Sequence, residues 1–482
     1  VLGGERCLSR RKTLTKSRNK PSFFLFFAFF FFVVSQFLTF FLLYRAAVNI
    51  HWYFSGPRLD LTDFSQFYQA GQLILSKQAH AVYNPDVQET WCLGLIYPHI
   101  PVKGLFYNQS VPFLYLFCIP YGLLPYNTAY IVWCLSTGLM SLIALTLLLN
   151  QCISKPGLKN RAFICLFLAM TYSSIPAYLT VWHGQTTYLM VTCMALSMYF
   201  LLRGKESLCG FWLSLSTVKP QYILLPLVAL LGLNQRRAII ALFLTEAALF
   251  AMAGCFMGFD NILHYPLTLI SAESSSRFVG VNPHVMASLR GILSASMTHN
   301  HKLAMLITVI ALFASLIPVL ILGRKIVKGA GAISSSTYEL RRNFYLAFVY
   351  MLALVLSPHT HYFDCLLVAV PAALTIRPWL TAREKTNEGS KIDTDTDTAQ
   401  ESRDKPGQEP DAVSAAEIAI ASQKSYKVLV GLLLAYPYLS WVYNFALGSM
   451  EAEGIAFLCT NIALTVALFR VLIKIPKQVE QK

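Results

Sequence analysis

"VPFLYLFCIPYGLL", Val111 to Leu124, is the stretch on which the fold turns. It is apolar enough to enter a membrane, yet it is short and broken by Pro112 and Pro120, with Pro125 just beyond. Proline lacks the amide hydrogen that continues a helix, so a straight span is unfavourable here. If the stretch crossed a bilayer, the basic cluster at 155–161 would move outside and every later basic cluster would invert. The sequence therefore predicts a re-entrant or surface-lying segment.

The rest of the chain makes a membrane the relevant solvent. Hydrophobic residues make up 55% of the 482 positions and charged residues only 13%, with a mean hydropathy of +0.52. A water-soluble surface needs more charge than that, so the expected class is an all-α polytopic membrane protein. The formal charge of +15 would suggest nucleic acid in a soluble protein. Here the basic residues flank apolar runs, as the positive-inside rule requires, and nucleic-acid binding is excluded. The eleven cysteines show no CxxC spacing and sit almost entirely inside apolar runs. They read as small core residues and not as a disulfide framework or metal site.

Lysine and arginine clusters mark the cytoplasmic side, and the chain crosses an even number of times between them. The expected crossings are 22–44, 127–149, 161–181, 186–202, 207–218, 220–234, 238–257, 302–322, 343–357, 362–377, 426–445 and 454–473. These twelve leave both termini cytoplasmic. The pair 207–218 and 220–234 is shorter than the ~20 residues of a full span, and it is expected to dip in and turn back. The organisation expected is a basic N-terminus (1–21), a transmembrane core (22–377) with a first outer loop at 45–109, and C-terminal helices with a basic tail (425–482). Between the last two, 378–424 is polar and acidic, carries about ten of the 24 acidic residues, and is expected to be a disordered cytoplasmic loop.

On this topology the unusual polar elements share the outer face: "DLTDFSQFYQAG" (60–71), "WHGQTTY" (182–188), "TVKPQY" (217–222), "NPHVMASLRG" (282–291) and "SPHTHYFD" (357–364). Polar groups at membrane depth are costly and usually face a cavity. Each has a plainer reading. Asp60 or Asp63 could cap the amphipathic helix that follows. Lys219 could snorkel to the surface instead of meeting a buried phosphate. Gly184-Gln185 could be an ordinary turn, and His284, Arg290, His359 and His361 could be solvated. Asp364, three residues beyond His361, is placed to orient that imidazole on a helix. The two histidines lack the spacing of a helical zinc pair, so no metal site is expected.

The ordered set resembles glycosyltransferase family 87, the polyprenol-phosphate-mannose-dependent mannosyltransferases of the GT-C fold. The family's Asp-Phe, Tyr and Ala-Gly stand as Asp63-Phe64, Tyr68 and Ala70-Gly71, and its Leu-Tyr-x-Pro step as "VYNP" (82–85). Its aromatic-Tyr-Pro-Pro segment has Asn108-Gln109 in place of the double proline. Gly184-Gln185, Lys219-Pro220, "LRG" (289–291) and "SPHTHYFD" follow in order. The resemblance covers roughly residues 45 to 375. The acidic insert is not part of the family pattern.

The resemblance implies an inverting transferase, without cofactor or metal, in the cell inner (plasma) membrane. It would move mannose from a polyprenyl-phosphate donor to a glycolipid, polysaccharide or surface-protein acceptor on the extracytoplasmic face. Asp63 is the expected base, and Lys219, His359, His361 and Arg290 are expected on the donor phosphate. Asp60, Tyr68, Gln185, Gln221, His284 and Asp364 complete the expected substrate-contacting set. Arabinofuranose or another lipid-phosphate sugar is an alternative donor. Transport or flipping of a lipid-linked sugar is the alternative from another class, but no related halves of the inverted-repeat kind are evident.

Overall fold

The computed structural model describes residues 63–96, 108–153, 158–274, 283, 286–297, 300–381, 420–447 and 449–479. They form helices joined by tight turns, with no strand among the described residues and a single bridge, between Met286 and His361. The expected crossing at 22–44, the N-terminus and most of the acidic insert lie outside the described residues.

Four helices are long and apolar enough to cross a membrane: Tyr126–Cys152, Arg236–Met257, His301–Lys328 and the core of Met450–Val479. A fifth candidate is the bent pair Asn160–Tyr172 and Ile175–His183, which meet at 54°. The break has a local cause. Pro176 sits in the first turn of the second helix, where its missing N–H does no harm; were the first helix to run on, Pro176 could not donate to the Tyr172 carbonyl and its ring would clash with it. Of the twelve crossings expected, several are therefore shorter elements. Thr187–Leu202, Pro220–Gly232 and Tyr362–Thr375 fall below the length of a span.

The exposed apolar surface is written in helical spacing. His301–Lys328 exposes Leu306, Ile310, Phe313, Ile317 and Ile321, three or four residues apart. Such a stripe is a hazard in water and a match to hydrocarbon. Thr187–Leu202 is buried along most of its length and packs beside Tyr126–Cys152 and Glu206–Leu215.

The Val111–Leu124 stretch forms an eleven-residue helix, Pro112–Gly122, about 16 Å long at 1.5 Å per residue. That is roughly half the hydrocarbon thickness. The helix lies against Phe64–Leu75, and the contact is set by two glycines. A Cβ on Gly71 would meet the Cys118 carbonyl oxygen at 2.6 Å, and one on Gly122 would meet Gly71 at 2.9 Å. Gln72 and Tyr68 then donate to the carbonyls of Gly122 and Leu124. The Asn108 that replaces a proline of the family pattern is buried in an amide network. Its side chain donates to Val82 O (3.0 Å), its backbone N–H to Gln88 Oε1 (2.9 Å), and Gln88 donates to Val82 O as well.

The segment between the crossings expected at 238–257 and 302–322 contains the helices Phe259–Ser274 and Leu289–Ser296. The first exposes Phe259, Leu263, Leu267 and Ile270 along one face, the pattern of a helix lying in an interface.

Candidate active site

Asp63 occupies the N-cap position of Phe64–Leu75, but its side chain caps nothing. Its Oδ2 instead accepts a hydrogen bond from the Gln185 side-chain amide, and His183 Nδ1 lies 4.0 Å from the same oxygen. Gly184 allows this meeting. Its φ of +63° is in the left-handed region, and a Cβ there would sit 2.6 Å from Phe64 Cβ and 2.9 Å from the Tyr130 ring. Trp133 Nε1 holds the turn by donating to Gly184 O at 3.0 Å, and the Tyr130 hydroxyl donates to the Val181 carbonyl. The Gly-Gln step thus brings an amide and an imidazole onto a carboxylate 122 residues earlier in the chain.

Burial pushes the Asp63 pKa above the ordinary carboxylate value. His183, the Gln185 hydrogen bond and the Lys219 charge oppose that shift without reversing it. Lys219 is therefore close enough for its field to bear on Asp63.

Lys219 stands between two short 3₁₀ turns, Ser216–Val218 and Pro220–Tyr222, at the bend between Glu206–Leu215 and Leu224–Gly232. Its ammonium donates to Asp364 Oδ1 and lies 4.9 Å from the centre of the Phe363 ring. Asp364 is 1% exposed, and other donors surround it. Thr187 donates to Oδ1 at 3.0 Å, the Tyr222 hydroxyl is 3.0 Å from Oδ2, and the His361 backbone N–H donates to Oδ2 at 3.3 Å. Asp364 and His361 cap each other: the His361 ring accepts from the Asp364 backbone N–H, and the Asp364 carboxylate accepts from the His361 backbone N–H. This reciprocal cap opens the 3₁₀ turn Tyr362–Val368.

A third wall comes from Leu289–Ser296. Arg290, 4% exposed, donates to Pro358 O at 3.2 Å and has His359 Nε2 at the same distance. Gly291 fixes the approach, since a Cβ there would collide with Met286 O at 1.9 Å. The Ala287 N–H donates to Thr360 O at 2.6 Å, which ties this segment to "SPHTHYFD". Gln221 donates to His359 O at 3.3 Å. The His361 ring stacks on Phe363 with centroids 5.1 Å apart. Burial, helped by neighbouring imidazoles and Lys219 and opposed by Asp364, lowers its pKa to about 3. His361 is thus a neutral hydrogen-bonding group at physiological pH.

Of the residues singled out in the sequence, Asp63, Gln185, Lys219, Gln221, Arg290, His359, His361 and Asp364 form one connected neighbourhood. Tyr68 does not join it: the side chain is buried and its hydroxyl is turned to Leu124 O. Asp60 and His284 lie outside the described residues. His183, Thr187, Tyr222 and Phe363 belong to the cluster without having been singled out. All four lie within or beside the quoted motifs, and His183 immediately precedes Gly184-Gln185. No metal-holding group of His, Cys, Asp or Glu occurs among the described residues.

Chemically the neighbourhood offers a carboxylate with spare acceptor capacity, an ammonium held in place, and a buried guanidinium beside an imidazole. A model of glycosyltransferase family 87 matches residues 111–358, just over half of the chain. Gln185, Lys219 and Arg290 fall inside the matched segment, while Asp63 and the 359–364 turn fall outside it. No curated protein and no solved structure matches.

Proposed function

The chain belongs to glycosyltransferase family 87, and from that premise we propose that it moves a sugar, mannose in the first instance, from a polyprenyl-phosphate donor to an acceptor hydroxyl on the extracytoplasmic face. The observation that carries this reading is the convergence of Asp63 and Lys219, from distant parts of the chain, on one buried neighbourhood. A glycosyl transfer with inversion needs a base on one side of the anomeric carbon and charge stabilisation at the leaving group on the other.

In the proposed step the acceptor oxygen attacks the anomeric carbon as its proton passes to the Asp63 carboxylate. The new C–O bond forms while the anomeric C–O bond to phosphate breaks, and the electron pair leaves with polyprenyl phosphate. Lys219, kept in position by Asp364, meets the growing phosphate charge with its remaining N–H groups. Arg290 supports the same end through His359. Charge-assisted hydrogen bonds of this kind are strong, and stronger in a dry site. His361, being neutral, contributes a hydrogen bond to the phosphate or the sugar. Asp364 acts through Lys219 as a positioning residue.

The test offers purified wild type and Asp63→Asn a panel of polyprenyl-phosphate sugars with a membrane glycolipid extract. Free polyprenyl phosphate and labelled product are measured together. Turnover of one donor by wild type, with a folded but silent variant, supports both donor class and base. Turnover of a pentosyl donor alone replaces mannose with a pentose. Equal turnover by both proteins removes Asp63 from the mechanism, and failure of every lipid-phosphate donor removes the donor class.

A further inference from the structure

A base that gains a proton in every turnover has to lose it before the next, and the surroundings of Asp63 restrict where that proton goes. The side chain is only 13% exposed. The Gln185 amide on Oδ2 is a donor without a basic nitrogen, so it cannot take the proton over. Lys219 and Tyr362 also lie within reach of the Asp63 charge. The first is an ammonium bonded to Asp364 and the second a phenol, and neither is a proton acceptor.

His183 is basic, adjacent and in contact with solvent. It is the last residue of the helix Ile175–His183, its Nδ1 lies 4.0 Å from Asp63 Oδ2, and its side chain is 28% exposed. That separation exceeds a hydrogen bond by about 1 Å, a gap that a small ring rotation or one bridging water closes. No hydrogen bond among the described residues occupies the ring nitrogens, so they are not spent on structure. The backbone on both sides is nevertheless fixed, because the Tyr130 hydroxyl donates to the Val181 carbonyl and Trp133 Nε1 to Gly184 O. The imidazole rests against the Phe363 ring, with centroids 5.9 Å apart. Beyond Asp63, the titratable group that senses His183 is His361, which is buried and neutral. An imidazole held beside a carboxylate and open to water is suited to moving a proton.

We propose that His183 takes the proton from Asp63 and releases one to water, resetting the base between turnovers; this rests on the reading of Asp63 as the base. The O–H bond of the protonated carboxyl breaks and leaves its electron pair on the carboxylate, while an N–H bond forms at Nδ1. The imidazolium then gives a proton to water and the neutral ring is restored. The imidazole approaches Oδ2, so Oδ1, which accepts no hydrogen bond among the described residues, stays open to the acceptor. A half-turn of the carboxyl carries the proton from one side to the other.

The experiment uses the full chain in nanodiscs and has two arms. In the first, kcat is measured with the lipid-phosphate donor that wild type turns over and a membrane glycolipid extract. His183→Ala should lose about 10²-fold in kcat, the lower end of what a positioned proton-transfer group supplies, with the donor KM unchanged. Added imidazole should restore part of that loss, which it cannot do for a folding defect, and should do nothing for Asp63→Asn. His183→Gln keeps the size and hydrogen bonding of the ring but does not titrate, and it should stay slow. The second arm needs no donor. The carboxylic acid band of Asp63, identified by its absence from Asp63→Asn, is followed by infrared spectroscopy as pH varies. A neighbouring imidazolium favours the ionised carboxylate, so the midpoint should lie at higher pH in His183→Gln than in wild type. Full kcat in either His183 variant, or the same Asp63 midpoint with and without His183, overturns the proposal. Should every lipid-phosphate donor fail, the infrared arm still decides: a moved midpoint supports the shared proton and removes only the donor class.

Discussion

Two carboxylates flank Lys219, and their surroundings are opposite. Asp364 is bonded to the ammonium and ringed by Thr187, Tyr222 and the His361 N–H, so both of its oxygens are occupied. Asp63 accepts one hydrogen bond, from Gln185 on Oδ2, while its Oδ1 accepts none among the described residues. A carboxylate whose lone pairs are taken is a fixture. One with a free oxygen and a pKa raised by burial is ready to take a proton. The same residue type thus gives a scaffold at one position and a candidate base at the other, through environment alone.

The largest effects separate these roles most clearly. Asp63→Asn should lower turnover by about 10²–10⁴-fold, the usual worth of a general base, with little change in thermal stability. Asp364→Ala should lower stability by about 3–5 kcal/mol, because it strands a poorly solvated ammonium, and transfer should fall with it. Melting curves and initial rates on the two variants decide the matter. If Asp63→Asn melts early while Asp364→Ala melts normally, the assignment of roles is reversed.

The pair itself can be removed next. Lys219→Met/Asp364→Leu replaces a buried ion pair with apolar side chains, which is often neutral or even stabilising. The double variant is therefore expected to recover most of the stability that Asp364→Ala loses. It should not recover transfer, because the ammonium proposed to meet the leaving phosphate is gone. Recovered transfer would mean that Lys219 serves only to balance Asp364.

A smaller effect is expected at the turn that carries Gln185. Gly184→Ala puts a Cβ into the left-handed region, a penalty of about 1–2 kcal/mol, and adds a clash with Phe64 Cβ at 2.6 Å. Gly138→Ala is the matched control, since its nearest neighbour would be the Tyr188 ring at 3.8 Å; it should be neutral or slightly stabilising. Equal melting of the two variants would show that the turn is not held tightly against Phe64.

What the sequence revealed and concealed follows from the range of each interaction. Membrane character, the apolar stripes and the broken Val111–Leu124 stretch are local properties, and the chain could be read for them directly. The stripe at Phe259, Leu263, Leu267 and Ile270 is equally local, but it falls between the crossings expected at 238–257 and 302–322, where the sequence reading assigns no helix. Partnerships were not legible. Asp63 meets Gln185 across 122 residues and Lys219 meets Asp364 across 145, and no periodicity encodes which distant turns coincide. Asn108 illustrates the same limit. It read as a departure from the family pattern, and only its three-dimensional neighbours make it part of a buried amide network.

The smallest expected effect bears on Asp63 most directly. The Gln185 amide donates to the Asp63 carboxylate and so favours its ionised form, partly offsetting the rise caused by burial. Gln185→Ala removes that donor, and the Asp63 pKa should rise further. Transfer requires the ionised base, so kcat/KM falls as pH drops through this pKa. In the variant the fall should begin at higher pH, while the rate on the alkaline plateau stays close to wild type. A purely geometric role for Gln185 predicts the reverse pattern, a lower plateau with an unmoved acid limb. The pH profile therefore separates a group that tunes the base from one that merely holds it.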